Sequence, residues 1–487
     1  ARTFSWPPEG IASRAFSATF SIASSSSPES TRTGGVSSAT PASAAPVASA
    51  TAPPVRASSA STPAAGPGRK IYRWDYVPAQ KARIEQGAVS YLDYGQYLAV
   101  STFGDFATFA KAYDARAHST LTPQIQDLAN GLTAGLDTPR AKAIALSDWV
   151  RKHIRYVAVY VGPGGVVPHP VDTILANRYG DCKDHVALLE AMLAAVGIES
   201  SPALVNLGNA YVLPKVPTLG LLNHAITYVP SLNLYLDSTA EGIAAGYLPV
   251  PVLDKPVVLS KSGDIGRTPT SQKGLVENSM LFKVRSKGAA DFSHTSTVIG
   301  WAAEVNRYGV KSMKPADRDL LIQQILASYG LNGSGTFDAG KFEGSGQGYE
   351  MNMAGRVENL VNLPGPIGVL TMSSLAGGIA QSVFSLLMEP ERTQAFTCIS
   401  GVTEEQARFE FPQDVSILAA PKNVTLKHER FDYGSTYTRE GNAVVVKRRF
   451  DFKQPGAVCT PDDFKSMKAM AEAAANDLKS QIIVQSL

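Results

Sequence analysis

Apolar positions along this chain recur with two periods, and the two alternate in blocks. Spacings of three and four predict helices. One such stripe is Phe106, Phe109, Ala110 and Tyr113 behind the capping candidate Asp105, and a second helix is expected over 123–132. A third has a clear start at Thr138-Pro139, a hydroxyl acceptor followed by proline at the first helical position, and it carries Ala143, Leu146, Val150 and Ile154 on one face. A fourth is expected to open at Gly180-Asp181-Cys182-Lys183-Asp184 and to stop at Gly197, with Val186, Leu189, Leu193 and Val196 as its core stripe and Cys182 in its first turn. Alternating or continuous apolar runs predict strands near 71–76 and 91–101, over 156–161, and over 224–229 and 232–236, the last two forming an antiparallel hairpin around Pro230-Ser231. Beyond residue 255 strands are expected at 279–285, 349–357, 405–411, 436–438 and 443–450. Helices are expected at 316–329 and from Thr460-Pro461-Asp462-Asp463 onward.

The order of these blocks predicts an α+β fold with N-terminal helices, an antiparallel sheet and a β-rich C-terminal domain. Residues 21–68 are almost all Ala, Ser, Pro, Thr and Gly, with no aromatic residue between Phe20 and Tyr72, so 1–69 is expected to be a low-complexity linker or a truncated remnant. The remaining boundaries are expected at 70–102 for the end of a β-rich domain, 103–255 for the helical and sheet core, and 256–487 for the C-terminal domain.

Composition then narrows the function. The 487 residues are 44% hydrophobic and 18% charged with a net charge of +3, and no basic block would track a phosphate backbone, so nucleic-acid binding has no support. The longest uncharged stretch, 359–388, is broken by Pro364, glycines and serines, and gives no indication of membrane association. Gly162–Gly165 lacks the lysine and context of a phosphate loop, so no nucleotide is expected, and neither clustered carboxylates nor paired cysteines suggest a metal or any other cofactor. The chain opens at Ala1 with no methionine before Met192, which points to a processed or trimmed product.

Cys182 is the most informative residue. A thiol in the first turn of a helix meets the positive end of the macrodipole, which can lower a cysteine pKa from about 8.5 toward about 3.5 to 7.5. It stands among Gly180, Asp181, Lys183 and Asp184 and not in the apolar stripe, which speaks against a cysteine that is merely a small buried hydrophobe. A thiolate nucleophile needs a base, and the base needs an orienting acceptor. His224 begins one strand of the expected hairpin and Asp237 ends the next, so both fall at the same end of the pair. His185, three residues after Cys182, shares its helical face and could tune the thiol; His118, His153, His169, His294 and His428 have no such surroundings.

The segment Asn177-Arg178-Tyr179-Gly180-Asp181-Cys182-Lys183-Asp184, with Asn223-His224-Ala225-Ile226, Leu236-Asp237-Ser238-Thr239-Ala240 and, upstream, Ile154-Arg155-Tyr156, resembles the bacterial transglutaminase-like superfamily, whose core is related to papain-like cysteine proteases. The resemblance covers about residues 100–255. That family often carries a β-rich, DUF3857-type domain before the core, and 70–102 looks like the end of one. The resemblance implies Cys182 as nucleophile, His224 as general base and acid and Asp237 as the residue orienting it, with a protein or peptide as substrate and a thioester intermediate resolved by water or an amine. The backbone N–H of Cys182 would help hold the oxyanion; Trp149, Tyr156 and Tyr160 are candidates for a second donor, or are core aromatics. The loop 206–222 before His224 could cover the site.

The other two cysteines, Cys398 and Cys459, are either unpaired buried thiols or a bridge across the C-terminal domain. A bridge would place the protein outside the reducing cytoplasm, in a bacterial periplasm or secreted. Two further readings stay open: a non-catalytic peptide or cell-wall binding module with a vestigial triad, and a maturation protease with the same chemistry.

Overall fold

The computed structural model describes residues 83–487 apart from 96, 118, 159–164, 271–273 and 343–347, together with the backbone of short strands before residue 77. Of the stretch expected to be a linker, the described backbone comprises the strands Ala18–Phe20, Arg32–Ala39 and Val47–Ala50 and the start of Arg69–Tyr76; the rest of it lies outside the described residues. The chain divides into two compact units, one built mainly from 89–241 and 250–268 and the other mainly from 269–487. The α+β class and the β-rich C-terminal region follow the sequence expectation.

The first unit is organised around one helix. Helices α1 (Phe106–Asp114), α2 (Pro123–Thr133) and α3 (Pro139–His153) start where a side-chain acceptor precedes them: Asp105 takes the Thr108 N–H, Thr122 that of Ile125 and Thr138 that of Ala141. A short helix, α4 (Val171–Asn177), follows Pro170 and leads through a two-residue bridge to α5 (Cys182–Ala195). Helix α5 packs against α2, α3, α4 and the sheet, so residues 183–193 are buried on every side and not along a single stripe. Strands β1 (Ser201–Val205), β2 (His224–Val229), β3 (Leu234–Leu236), β4 (Pro256–Leu259) and β5 (Ile265–Arg267) form an antiparallel sheet in the order β3-β2-β1-β4-β5. The expected hairpin is present, closed by Pro230–Leu232 and by Asn233 in the left-handed region at φ 44°.

The second unit is an eight-stranded sheet in the order β8-β9-β7-β6-β10-β13-β12-β11. Its members are β6 (Gly274–Val284), β7 (Ala290–Gly300), β8 (Gly333–Asp338), β9 (Tyr349–Val357), β10 (Gly401–Glu410), β11 (Val424–Lys427), β12 (Phe431–Glu440) and β13 (Ala443–Phe452). All neighbours run antiparallel except β6 and β10, which pair in parallel from Leu275↔Val402 to Lys283↔Glu410. The unit also holds helices α6 (Trp301–Ser312), α7 (Pro315–Ser328), α8 (Gly378–Leu386) and α9 (Pro461–Leu478), α9 opening with the capping box of Thr460 and Asp463, and a small sheet of Ile367–Leu370, Gln481–Ser486 and Val415–Ala419. Cys398 and Cys459 are joined by a disulfide inside the core formed by Phe396, Phe431, Phe450, Phe464 and Met467.

The bridge spans 61 residues, a closure that stabilises by about 4 kcal/mol in the chain-entropy account. Reduction should therefore lower the urea midpoint of this unit's unfolding; an unchanged midpoint with the bond demonstrably reduced would contradict that role.

Candidate active site

The turn before α5 sets the position of Cys182. Asp181 is the N-cap and takes the Asp184 N–H at 3.5 Å, while the Asp184 carboxylate takes the Asp181 N–H at 3.2 Å. Asp184 also accepts from the His169 backbone N–H at 2.8 Å and faces the His169 ring at 3.0 Å, so it anchors the preceding loop as well. The space for this carboxylate comes from Gly180: a Cβ there would lie 2.6 Å from the Asp184 Cβ, which no side chain tolerates. Asp181 is paired with the buried Lys183 ammonium; burial pushes the Asp181 carboxyl up and the ammonium pulls it back. Cys182, the first residue of the helix, is half-buried and packs against a cluster holding Phe109, Tyr113, Val186, Leu222 and Ala225.

His224 opens β2 and Asp237 follows the last residue of β3, and the antiparallel register sets both at one end of the sheet. The His224 Nε2–H donates to Asp237 Oδ2 at 3.1 Å, with the side chains 2% and 1% exposed. Thr239 holds the other carboxylate oxygen, its N–H donating to Oδ1 at 3.0 Å and its hydroxyl at 2.6 Å. With Nε2 committed, the buried Nδ1 is the nitrogen left for Cys182, which adjoins the ring without a hydrogen bond of standard geometry. Burial alone would lower the His224 pKa, but the Asp237 charge and hydrogen bond, with Cys182 beside the ring, raise it from 6.5 to about 10. Burial would raise Asp237, yet His224 and Thr239 hold it below its ordinary value.

The other sequence candidates fall elsewhere. The Trp149 ring stacks on His153 at 4.7 Å and lies under the Arg178 guanidinium. Tyr156 is exposed with its ring edge-on to His185 at 6.1 Å, and Tyr160 lies outside the described residues, as does His118. His294 is buried in the second unit's sheet, and the His428 ring accepts from the Arg430 N–H. The loop 206–222 is fastened down: the fully buried Lys255 donates to the Gly208 and Ala210 carbonyls at 2.7 and 2.6 Å, Asp93 accepts from the Tyr211 N–H, and Asn206 bonds the Leu221 carbonyl. Thr239 and Tyr113 are the neighbours that sequence reasoning did not single out. Thr239 stood in the Asp-Ser-Thr motif and its spacing of two from Asp237 was the available signal; Tyr113 read only as one residue of an apolar stripe. Among the described residues no group of three His, Cys, Asp or Glu could hold a metal ion, and no helix is long and apolar enough to cross a membrane.

Because Asp237 is the chief influence that raises the His224 pKa, Asp237→Asn should lower the His224 titration well below about 10, as read from its ring-proton NMR shifts. The sign for stability follows: the charged histidine's contribution is complete below about pH 6.5 and is lost as pH rises through about 10. An unshifted titration in the variant would refute the coupling.

The family model described as the transglutaminase-like superfamily matches residues 126–211, from α2 through Cys182 to Tyr211, and stops short of His224 and Asp237. A domain of unknown function, DUF3858, matches residues 379–484 in the second unit. Among solved structures, a candidate protease from Parabacteroides distasonis superposes with a TM-score of 0.56 at 14% identity, over 94% of this chain and 71% of that one, a likeness of fold. No curated protein matches the chain at a significant level. The chain thus carries a transglutaminase-like superfamily domain in its first unit, followed by a DUF3858 domain in its second.

Proposed function

We propose that the first unit is a thiol enzyme that attacks an amide carbonyl of a protein or peptide through Cys182. The observation that carries this reading is the buried His224–Asp237 pair at 3.1 Å, whose imidazole adjoins a half-buried thiol at a helix N-terminus. An imidazolium there stabilises a thiolate, and the thiolate is the nucleophile. Its attack forms a tetrahedral oxyanion, for which the Cys182 backbone N–H at the first position of α5 is a donor. The proton on His224 passes to the leaving amine, the C–N bond breaks, and the acyl group remains on sulfur as a thioester. Water or an amine then attacks the thioester while His224 takes its proton, and the thiolate leaves. Asp237, held by Thr239, keeps the imidazole in orientation throughout. The transglutaminase-like domain and the likeness to a candidate protease support a peptide or protein as acyl donor. The Cys398–Cys459 disulfide supports a site of action outside the cytoplasm.

Iodoacetamide at neutral pH should alkylate wild-type protein at Cys182, Cys182→Ala should abolish the labelling with the fold intact, and His224→Ala should slow it about tenfold or more. Wild-type and His224→Ala proteins labelled at equal rates would count decisively against the reading.

A further inference from the structure

We propose that His185 is a positioning residue that ties the helix of the nucleophile to the carboxylate orienting its base, an inference that rests on the Cys182, His224 and Asp237 reading above. His185 lies one turn after Cys182 on α5 and is 1% exposed. Its Nδ1 is 3.0 Å from the Ser238 carbonyl oxygen across a fully buried contact. A carbonyl only accepts, so Nδ1 carries the proton and donates. In the neutral ring that tautomer leaves Nε2 bare, and Nε2 is buried with no partner. A buried unpartnered acceptor costs free energy that an aliphatic side chain of similar size would not. The polarity of the ring at this place is therefore used through one bond, the one to Ser238.

That bond lands on the peptide unit joining Ser238 to Thr239, whose N–H donates to Asp237 Oδ1. The last ladder pair between the two strands is Leu236↔Thr227, so Asp237 and Ser238 lie just beyond the register that would otherwise fix them. The Asp237 carboxylate is committed on one side to His224 and on the other to Thr239, and its direction depends on where the 237–239 backbone sits. His185 holds that backbone to α5, and the Tyr156 ring meets His185 edge-on at 6.1 Å. The charged and titratable groups facing His185 are Asp184 on its own helix and Asp237 and His224 from the strands. Burial outweighs those carboxylates and lowers its pKa to about 4, so the ring remains a neutral donor across the working range.

The test compares Cys182 alkylation by iodoacetamide at about pH 6 and about pH 9, because a thiol paired with an imidazolium stays reactive in acid whereas an unpaired one follows its titration near 8.5. In His185→Asn the amide nitrogen falls where Nδ1 sits; in His185→Gln it falls at Nε2; His185→Leu has no donor. The acid-to-alkaline rate ratio should fall about tenfold in the Leu and Gln variants and stay within about twofold of wild type in the Asn variant. Equal wild-type ratios in the Leu and Gln variants would overturn the proposal, as would an equal loss in all three. Should the Leu variant fail to fold, the contrast between Gln and Asn decides. A wild-type ratio no higher than that of His224→Ala would overturn the catalytic reading itself, and this inference with it.

Discussion

A protonated imidazole and a carboxylate, both sealed from solvent and 3.1 Å apart, form the interaction on which the rest of the first unit depends. Removing either charge from water alone costs several kcal/mol, and breaking such a pair costs about 3–5 kcal/mol because the survivor stays buried and unpaired. The pair is tolerable only while the geometry is held, and the surrounding structure does that holding. Strand register brings His224 and Asp237 to one end of the sheet, Thr239 saturates the far carboxylate oxygen, and the 237–239 backbone is bonded to α5 through Ser238.

Helix α5 faces the same problem along its whole length. A helix enclosed on every side would ordinarily be apolar on every side. This one carries Lys183, Asp184, His185 and Glu190, and each has an assigned partner: Asp181 for Lys183, His169 for Asp184, Ser238 for His185 and Lys261 for Glu190. Three of these contacts fall in the first turn, around the cysteine. The polar content of the helix is thus concentrated in its first turn, around Cys182, and after Glu190 the buried stretch ends in the apolar residues Ala191 to Leu193. Gly180 belongs to the same design, since only a residue without a side chain leaves room for the Asp184 carboxylate to cap the helix.

The sequence was most readable where structure is local. Caps at Asp105, Thr138 and Thr460 announced three helices, and each side chain makes the bond its position predicts. Helices Val171–Asn177, Trp301–Ser312 and Gly378–Leu386 were not anticipated and follow Pro170, Gly300 and Gly377, none of which offers a capping side chain. Tyr91–Tyr94 is a short helix inside the run expected to be a strand, which begins only at Leu98. Long-range pairing was equally hidden: the parallel match of β6 with β10 and the strand Gln481–Ser486, which pairs with Ile367–Leu370 and Val415–Ala419, have no local signal. The site divides in the same way. Cys182, His224 and Asp237 stood at element ends where a pattern of residues could single them out, and the structure brings His224 and Asp237 into contact. The fastening of loop 206–222 by Lys255 and Asp93 depends on residues far along the chain and could not be read from the loop itself.

The thioester is the central claim, and trapping it is the most direct measurement. Wild-type protein mixed with p-nitrophenyl acetate, quenched in acid within the first turnover and analysed by intact mass and peptide mapping, should carry one acetyl group on the peptide containing Cys182, and Cys182→Ala should carry none. An acetyl group found elsewhere, or found equally in both proteins, would contradict the account.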